Sequence, residues 1–200
     1  MSRNRRPQSA FDEKAFPRSW SDEKRWPLTS PALHPESPEW LSSDLSKTAA
    51  PIMKELSDAG VSLASVASRI RSSEDFMVAA PIMARHLKLD HPEPIREALA
   101  RSLATPQAIQ FRADFIDLFV RLKGASLSFR YALGLAVANT TQAKNIEDTL
   151  ALLNDPSLGE ARVALLTAVK RFRKRPEVVE ALAIAVKDPQ LSREVLSWSA

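Results

Sequence analysis

From Leu45 onward, apolar residues recur at steps of three and four between short polar breaks, the pattern of amphipathic helices. Leu158, Ala161, Leu165, Val169 and Phe172, for example, share one helical face. The breaks themselves recur. They are Leu56-Ser57-Asp58-Ala59-Gly60, Leu89-Asp90-His91-Pro92, Leu122-Lys123-Gly124-Ala125, Leu153-Asn154-Asp155-Pro156 and Val186-Lys187-Asp188-Pro189. Asp, Gly and Pro are the residues that end one helix and begin the next. Taking positions 58, 90, 123, 155 and 188 as equivalent gives spacings of 32, 33, 32 and 33 residues. The pattern predicts helix pairs over 48–58/62–71, 76–89/93–104, 106–122/127–139, 143–153/157–173 and 177–187/190–199. Thr105-Pro106 and Arg175-Pro176-Glu177 mark helix starts, with proline at the first helical position. Pro81 falls inside a predicted helix and should kink or split it.

The segments after the breaks share an early arginine in an Ala/Leu-rich helix: Glu93-Pro94-Ile95-Arg96-Glu97-Ala98-Leu99, Ser128-Phe129-Arg130-Tyr131-Ala132-Leu133, Glu160-Ala161-Arg162-Val163-Ala164-Leu165 and Ser192-Arg193-Glu194-Val195-Leu196. The first unit lacks it. The Asp-Pro junction, the early arginine and the small residues that follow resemble HEAT-type repeats of a short-period kind, over about residues 56–200. The period is shorter than the roughly 40–47 residues of standard HEAT units, and Lys123-Gly124 stands where Asp-Pro belongs. The tetratricopeptide signature is absent, and an irregular helical bundle is the remaining alternative. The resemblance implies an all-α fold, an α-solenoid of about five antiparallel helix pairs whose second helices line one face. Arg96, Arg130, Arg162 and Arg193 would then occupy equivalent places. They would serve either to bond junction aspartates and carbonyls between units or to form a concave anion-binding surface.

Ahead of the repeats, residues 1–43 form a separate region, with residues 44–200 as the repeat domain. Six of the 14 prolines lie in this arm and no glycine does, which predicts an extended or disordered segment. Yet it carries three of the four tryptophans, Trp20, Trp26 and Trp40, together with Phe11 and Phe16. Asp12-Glu13-Lys14-Ala15-Phe16-Pro17 recurs as Asp22-Glu23-Lys24-Arg25-Trp26-Pro27. Two readings follow. Phe16 and Trp26 are anchors of a doubled linear motif for a partner's groove, or the arm folds back and its aromatics cover the repeats.

Composition narrows the chemistry. With no cysteine there is no disulfide framework, thiolate metal site or thiol nucleophile. Four glycines, at 60, 124, 134 and 159, cannot build a phosphate-cradling loop. His34, His86 and His91 lack metal-ligand spacing, so His86 and His91 are expected to cap or to lie at the surface. Glu74-Asp75 and Glu147-Asp148 are expected at helix N-termini, where they meet the macrodipole. No metal, cofactor or catalytic set is expected.

The densest charge feature is Lys170-Arg171-Phe172-Arg173-Lys174-Arg175. It is either a helix C-terminus with favourable cations or a contact for phosphates or an acidic partner. The basic N-terminus has no apolar run behind it, so it is not the pattern of a secretory signal. No apolar run approaches the roughly 20 residues of a membrane span. A cytoplasmic location is therefore expected, with no membrane partner. The expectation is a non-enzymatic scaffold, adaptor or inhibitor that binds another protein through its repeats and the arm's Phe16, Trp20, Trp26 and Trp40. The net charge of +4 permits the alternative, a nucleic-acid-binding repeat protein using Lys170–Arg175 and the repeated arginines. Trp198, near the end of the chain, would seal the stack or meet a partner.

Overall fold

A computed structural model describes residues 43–61 and 73–198. The arm with Phe16, Trp20, Trp26 and Trp40, and the helix expected over 62–71, lie outside the described residues. Every regular element among the described residues is helical. In chain order they are α1 (Ser43–Asp58), α2 (Ser73–Lys88), α3 (Glu93–Ser102), α4 (Arg112–Arg121), α5 (Leu127–Asn139), α6 (Ile146–Leu153), α7 (Leu166–Arg171), α8 (Pro176–Ala185) and α9 (Ser192–Ser197). 3₁₀ segments lead into three of them: Pro106–Phe111 before α4, Ala143–Asn145 before α6 and Pro156–Leu165 before α7.

The expected breaks fall where the sequence puts them, and two use the same chemistry. Asp155 accepts a hydrogen bond from the Ser157 N–H at 2.9 Å, and Asp188 accepts one from the Gln190 N–H at 2.8 Å. An aspartate just before proline thus forms a turn with the backbone two residues on, stopping one helix and aiming the next. Ser126 opens α5 by accepting from the Phe129 N–H. Glu74, Asp75, Glu147 and Asp148 lie in first helical turns, as expected.

Several helices depart from expectation. Pro81 lies inside a continuous α2 and does not split it, and Pro51 likewise lies inside α1, which begins earlier than its pattern implies. The helix expected over 106–122 is α-helical only from Arg112. Pro106 follows a Thr105 that makes no side-chain cap bond, and the first turns tighten to 3₁₀ with Ala108 at φ −84°, ψ 16°. The helix expected over 157–173 is interrupted at Gly159, whose φ of 66° and ψ of −157° are open essentially to glycine alone. Its apolar face nonetheless survives. Leu158, Ala161, Leu165 and Val169 are fully buried and Phe172 packs against them.

At the centre lies α5. It carries apolar residues all round and packs against α3, α4, the Pro156–Leu165 segment and α7. Phe115, Phe119 and Phe129 fill the adjoining core, each contributing on the order of 1.5–3 kcal/mol of burial. Close approach needs small residues, and Gly134 stands at such a place. A Cβ there would stand 2.8 Å from the Ala164 Cβ and 3.2 Å from the Ala161 carbonyl oxygen.

Candidate binding surface

The basic run of the sequence straddles a helix end. α7 closes at Arg171, because Phe172 leaves helical geometry, and Pro176 starts α8 after a four-residue turn. Lys170 and Arg171 thereby sit where cations oppose the negative end of the helix dipole. Thr167, Lys170, Arg171, Arg173 and Lys174 line one open depression. The Lys170 ammonium lies 5.4 Å from the centre of the Trp198 ring. Burial pushes its pKa below the usual lysine value, Arg173 pushes the same way, and Glu194 partly restores it. Trp198 is buried and donates its indole N–H to Glu194 at 2.8 Å, so it closes the side of α9 toward α7.

Arg171 and Arg175 hold this turn in place. Arg171 donates to the carbonyls of Ala138, in the last turn of α5, and Thr141, just beyond it, and its guanidinium lies 5.7 Å from the Phe172 ring centre. Arg175 donates to the Ala143 carbonyl and pairs with Glu177. Both arginines therefore add a charged donor to carbonyls at a helix end and a turn, that of Ala138 also accepting from the Thr141 N–H. Bonding to a neutral carbonyl leaves the positive charge in place, so Arg171 anchors the depression and also contributes to its field.

Three of the four repeated arginines bond backbone carbonyls of other segments. Arg96 donates to the Leu87 carbonyl at 3.2 Å, and Arg162 donates to the Leu153 carbonyl at 2.9 Å. Each reaches nine residues back to the end of the preceding helix. Arg162 also bonds Gly159 and Gln190 and pairs with Asp188 at 2.8 Å, while only 2% exposed. Arg130 instead reaches forward to the Leu158 carbonyl at 2.6 Å and lies against Phe119. Desolvation pulls its pKa below the usual arginine value. Arg193 is exposed on α9. Arg96, Arg130 and Arg162 thus tie helices together. They do not gather on one open face with Arg193.

Two polar clusters were not legible from the repeat pattern. Arg112, 7% exposed, donates to the Val137 carbonyl, Thr141, the Asn145 carbonyl and Thr149, joining α4, α5 and α6. Desolvation pulls its pKa down, opposed by Asp148 at 4.0 Å. Arg112 has no counterpart at repeat spacing, and a lone arginine in a helical pattern reads as a solvated face. The second cluster corrects an expectation. His86 is buried, not at the surface, and its ring nitrogens face His91 and Glu55, each at 3.0 Å.

Chemically, these arrangements offer cationic and neutral donors. No group of three or more metal-ligating side chains occurs among the described residues. No helix among them is long and apolar enough to cross a membrane. The chain matches no family model, no curated protein and no solved structure.

Proposed function

We propose that the chain is a non-enzymatic, HEAT-like helical-repeat scaffold that binds an acidic surface of another protein. The observation that carries this reading is the spacing of its polar cross-links. Polar bonds between distant parts of the chain span 25 to 37 positions, and within that range Glu55–His86, Glu93–Ser126, Glu97–Ser128, Ala104–Asn139, Lys123–Ser157, Ala138–Arg171 and Ala143–Arg175 join residues 31 to 35 positions apart. Bonds one unit apart are what successive helix pairs make when they stack in register. Stacks of this kind commonly work by presenting an extended surface to a macromolecule. The cationic depression at the end of α7 supplies charge complementarity for an acidic patch. The aromatic arm, with Phe16, Trp20, Trp26 and Trp40, would extend the contact.

Affinity capture with the full chain, followed by identification of what is retained, tests this directly. Arg173→Glu with Lys174→Glu should lose the partner while the thermal melt stays within a few degrees of the parent. Retention of every specific partner by the charge-reversed chain would overturn the assignment of this surface.

A second reading rests on the same depression. Four cations around one hollow also suit a phosphate backbone, and the chain would then bind nucleic acid. Titration with duplex DNA and RNA at increasing salt separates the two readings. Binding whose affinity falls steeply with salt, and which the charge reversal abolishes, favours nucleic acid. No binding at low salt removes it.

A further inference from the structure

We propose that Glu55, His86 and His91 form a proton-limited latch that fastens the loop between α2 and α3 and releases it when both imidazoles are protonated. The three groups come from different parts of the chain. Glu55 lies on α1, His86 on α2 and His91 in the loop that leads into α3. Glu55 accepts from His86 Nε2 at 3.0 Å and is also paired with Arg85. On its other side, His86 Nδ1 stands 3.0 Å from His91 Nε2. The ring centroids are 5.2 Å apart and the planes are tilted by 36°. With the nitrogens that close, such a centroid separation means the rings meet nearly head-on, nitrogen to nitrogen.

Proton bookkeeping follows from this geometry. An ionised carboxylate only accepts, so His86 carries its proton on Nε2. Neutral His86 then has a bare Nδ1, and His91 must donate to it from Nε2. The pair tolerates one added proton. It can sit on His91 Nδ1, or on His86 Nδ1 with His91 changing tautomer, and one N–H still bridges the gap. A second proton leaves two N–H groups facing each other at 3.0 Å, with a positive charge on each ring. That contact cannot persist.

The charges around the pair decide which ring leaves. Glu55 on α1 holds His86, with Arg85 of α2 beside it. His91 has Arg96 of α3 against it and only the neighbouring Asp90 in its favour. Burial, His86 and Arg96 together hold the His91 pKa below the usual histidine value, while Asp90 acts the other way. His91 is the partly exposed member and lies on irregular backbone. It therefore swings outward, while His86 stays on Glu55. The loop it releases carries the exposed Leu89 and ends at Pro92, the residue preceding α3. The surface at this junction then differs between neutral and acidic conditions.

The test uses the full chain carrying His34→Gln, so that two imidazoles report, with ¹⁵N-labelled histidine. Ring-nitrogen NMR at neutral pH should show His86 protonated at Nε2 and bare at Nδ1. On acidification through the range where histidine titrates, the rings should take up protons in two separated steps. Backbone amides of residues 89–92 should shift with the second step. His91→Gln should leave a single step and abolish the loop response. Independent single-step titration of both rings, or a loop that does not follow the second proton, overturns the proposal. The parent titration alone suffices for this, whether or not the variant folds well.

Discussion

Two residues show how little slack the core has. Gly134 lies at a close approach of two segments, where a methyl group would press on the Ala164 Cβ and the Ala161 carbonyl. Gly134→Ala gains up to about 1 kcal/mol of helix propensity. It loses about 1–3 kcal/mol to overpacking, because neither neighbour can rotate away. The expected net effect in urea unfolding is destabilisation, and adding Ala164→Gly should restore part of it. Greater stability for Gly134→Ala alone would show that the backbone relaxes freely there. At Asp188, burial raises the carboxyl pKa, but the Gln190 N–H, the Arg162 guanidinium and the Leu191 N–H together hold it below the usual carboxylate range. A depressed carboxylate stabilises the fold above its unfolded value and loses that contribution as pH falls through the carboxylate range. Asp188→Asn should therefore be less stable than the parent near neutrality, with the gap closing on acidification below about pH 4. Parallel melts across pH would show this, and a constant gap would mean the carboxylate's charge is immaterial.

Among the elements, existence and order were legible where turn chemistry is local. Asp155 and Asp188 stand before prolines and cap the next residues through their own side chains, so the pattern alone locates both breaks. The basic run at the end of α7 was legible for the same reason, since its cations are consecutive. Helix type was not. Apolar spacing across Leu158 to Phe172 marks a buried face, and that face is buried. Yet a 3₁₀ path with one left-handed glycine presents the same side chains inward as an α-helix would. Partners far along the chain were also hidden. Nothing near Lys170 announces Trp198, and nothing near His86 announces Glu55. Gly159 makes the helix-type point testable. Its dihedrals lie where an L side chain is strained, so Gly159→Ala should cost on the order of 1–3 kcal/mol although the space around it is ample. A melt unchanged within error would mean the backbone there can rejoin a regular helix.

At the scale of the whole molecule, the question is whether the helices share one core or pass stability from neighbour to neighbour. The two cases differ physically. In a stack, each unit contacts only those beside it, so a terminal unit has one stabilising interface and an internal unit has two. α1 packs on α2, whereas α5 is held by α3, α4, the Pro156–Leu165 segment and α7. Local opening should then cost least at the outer helices α1 and α9 and most at α5, since opening free energy follows the buried contacts that must break. Native-state amide hydrogen exchange measures this helix by helix. The expected result is a gradient, with α1 exchanging before α2 and α3, and α5 opening only near the global unfolding free energy. Low denaturant should accelerate α1 with a small slope and α5 with a large one, because little surface is exposed in the first opening and nearly all in the last. If every helix exchanged at one free energy with one denaturant slope, the chain would be a single cooperative bundle. The recurring 31 to 35 residue separations would then reflect helix length alone, and the case for a repeat scaffold would lose its main support.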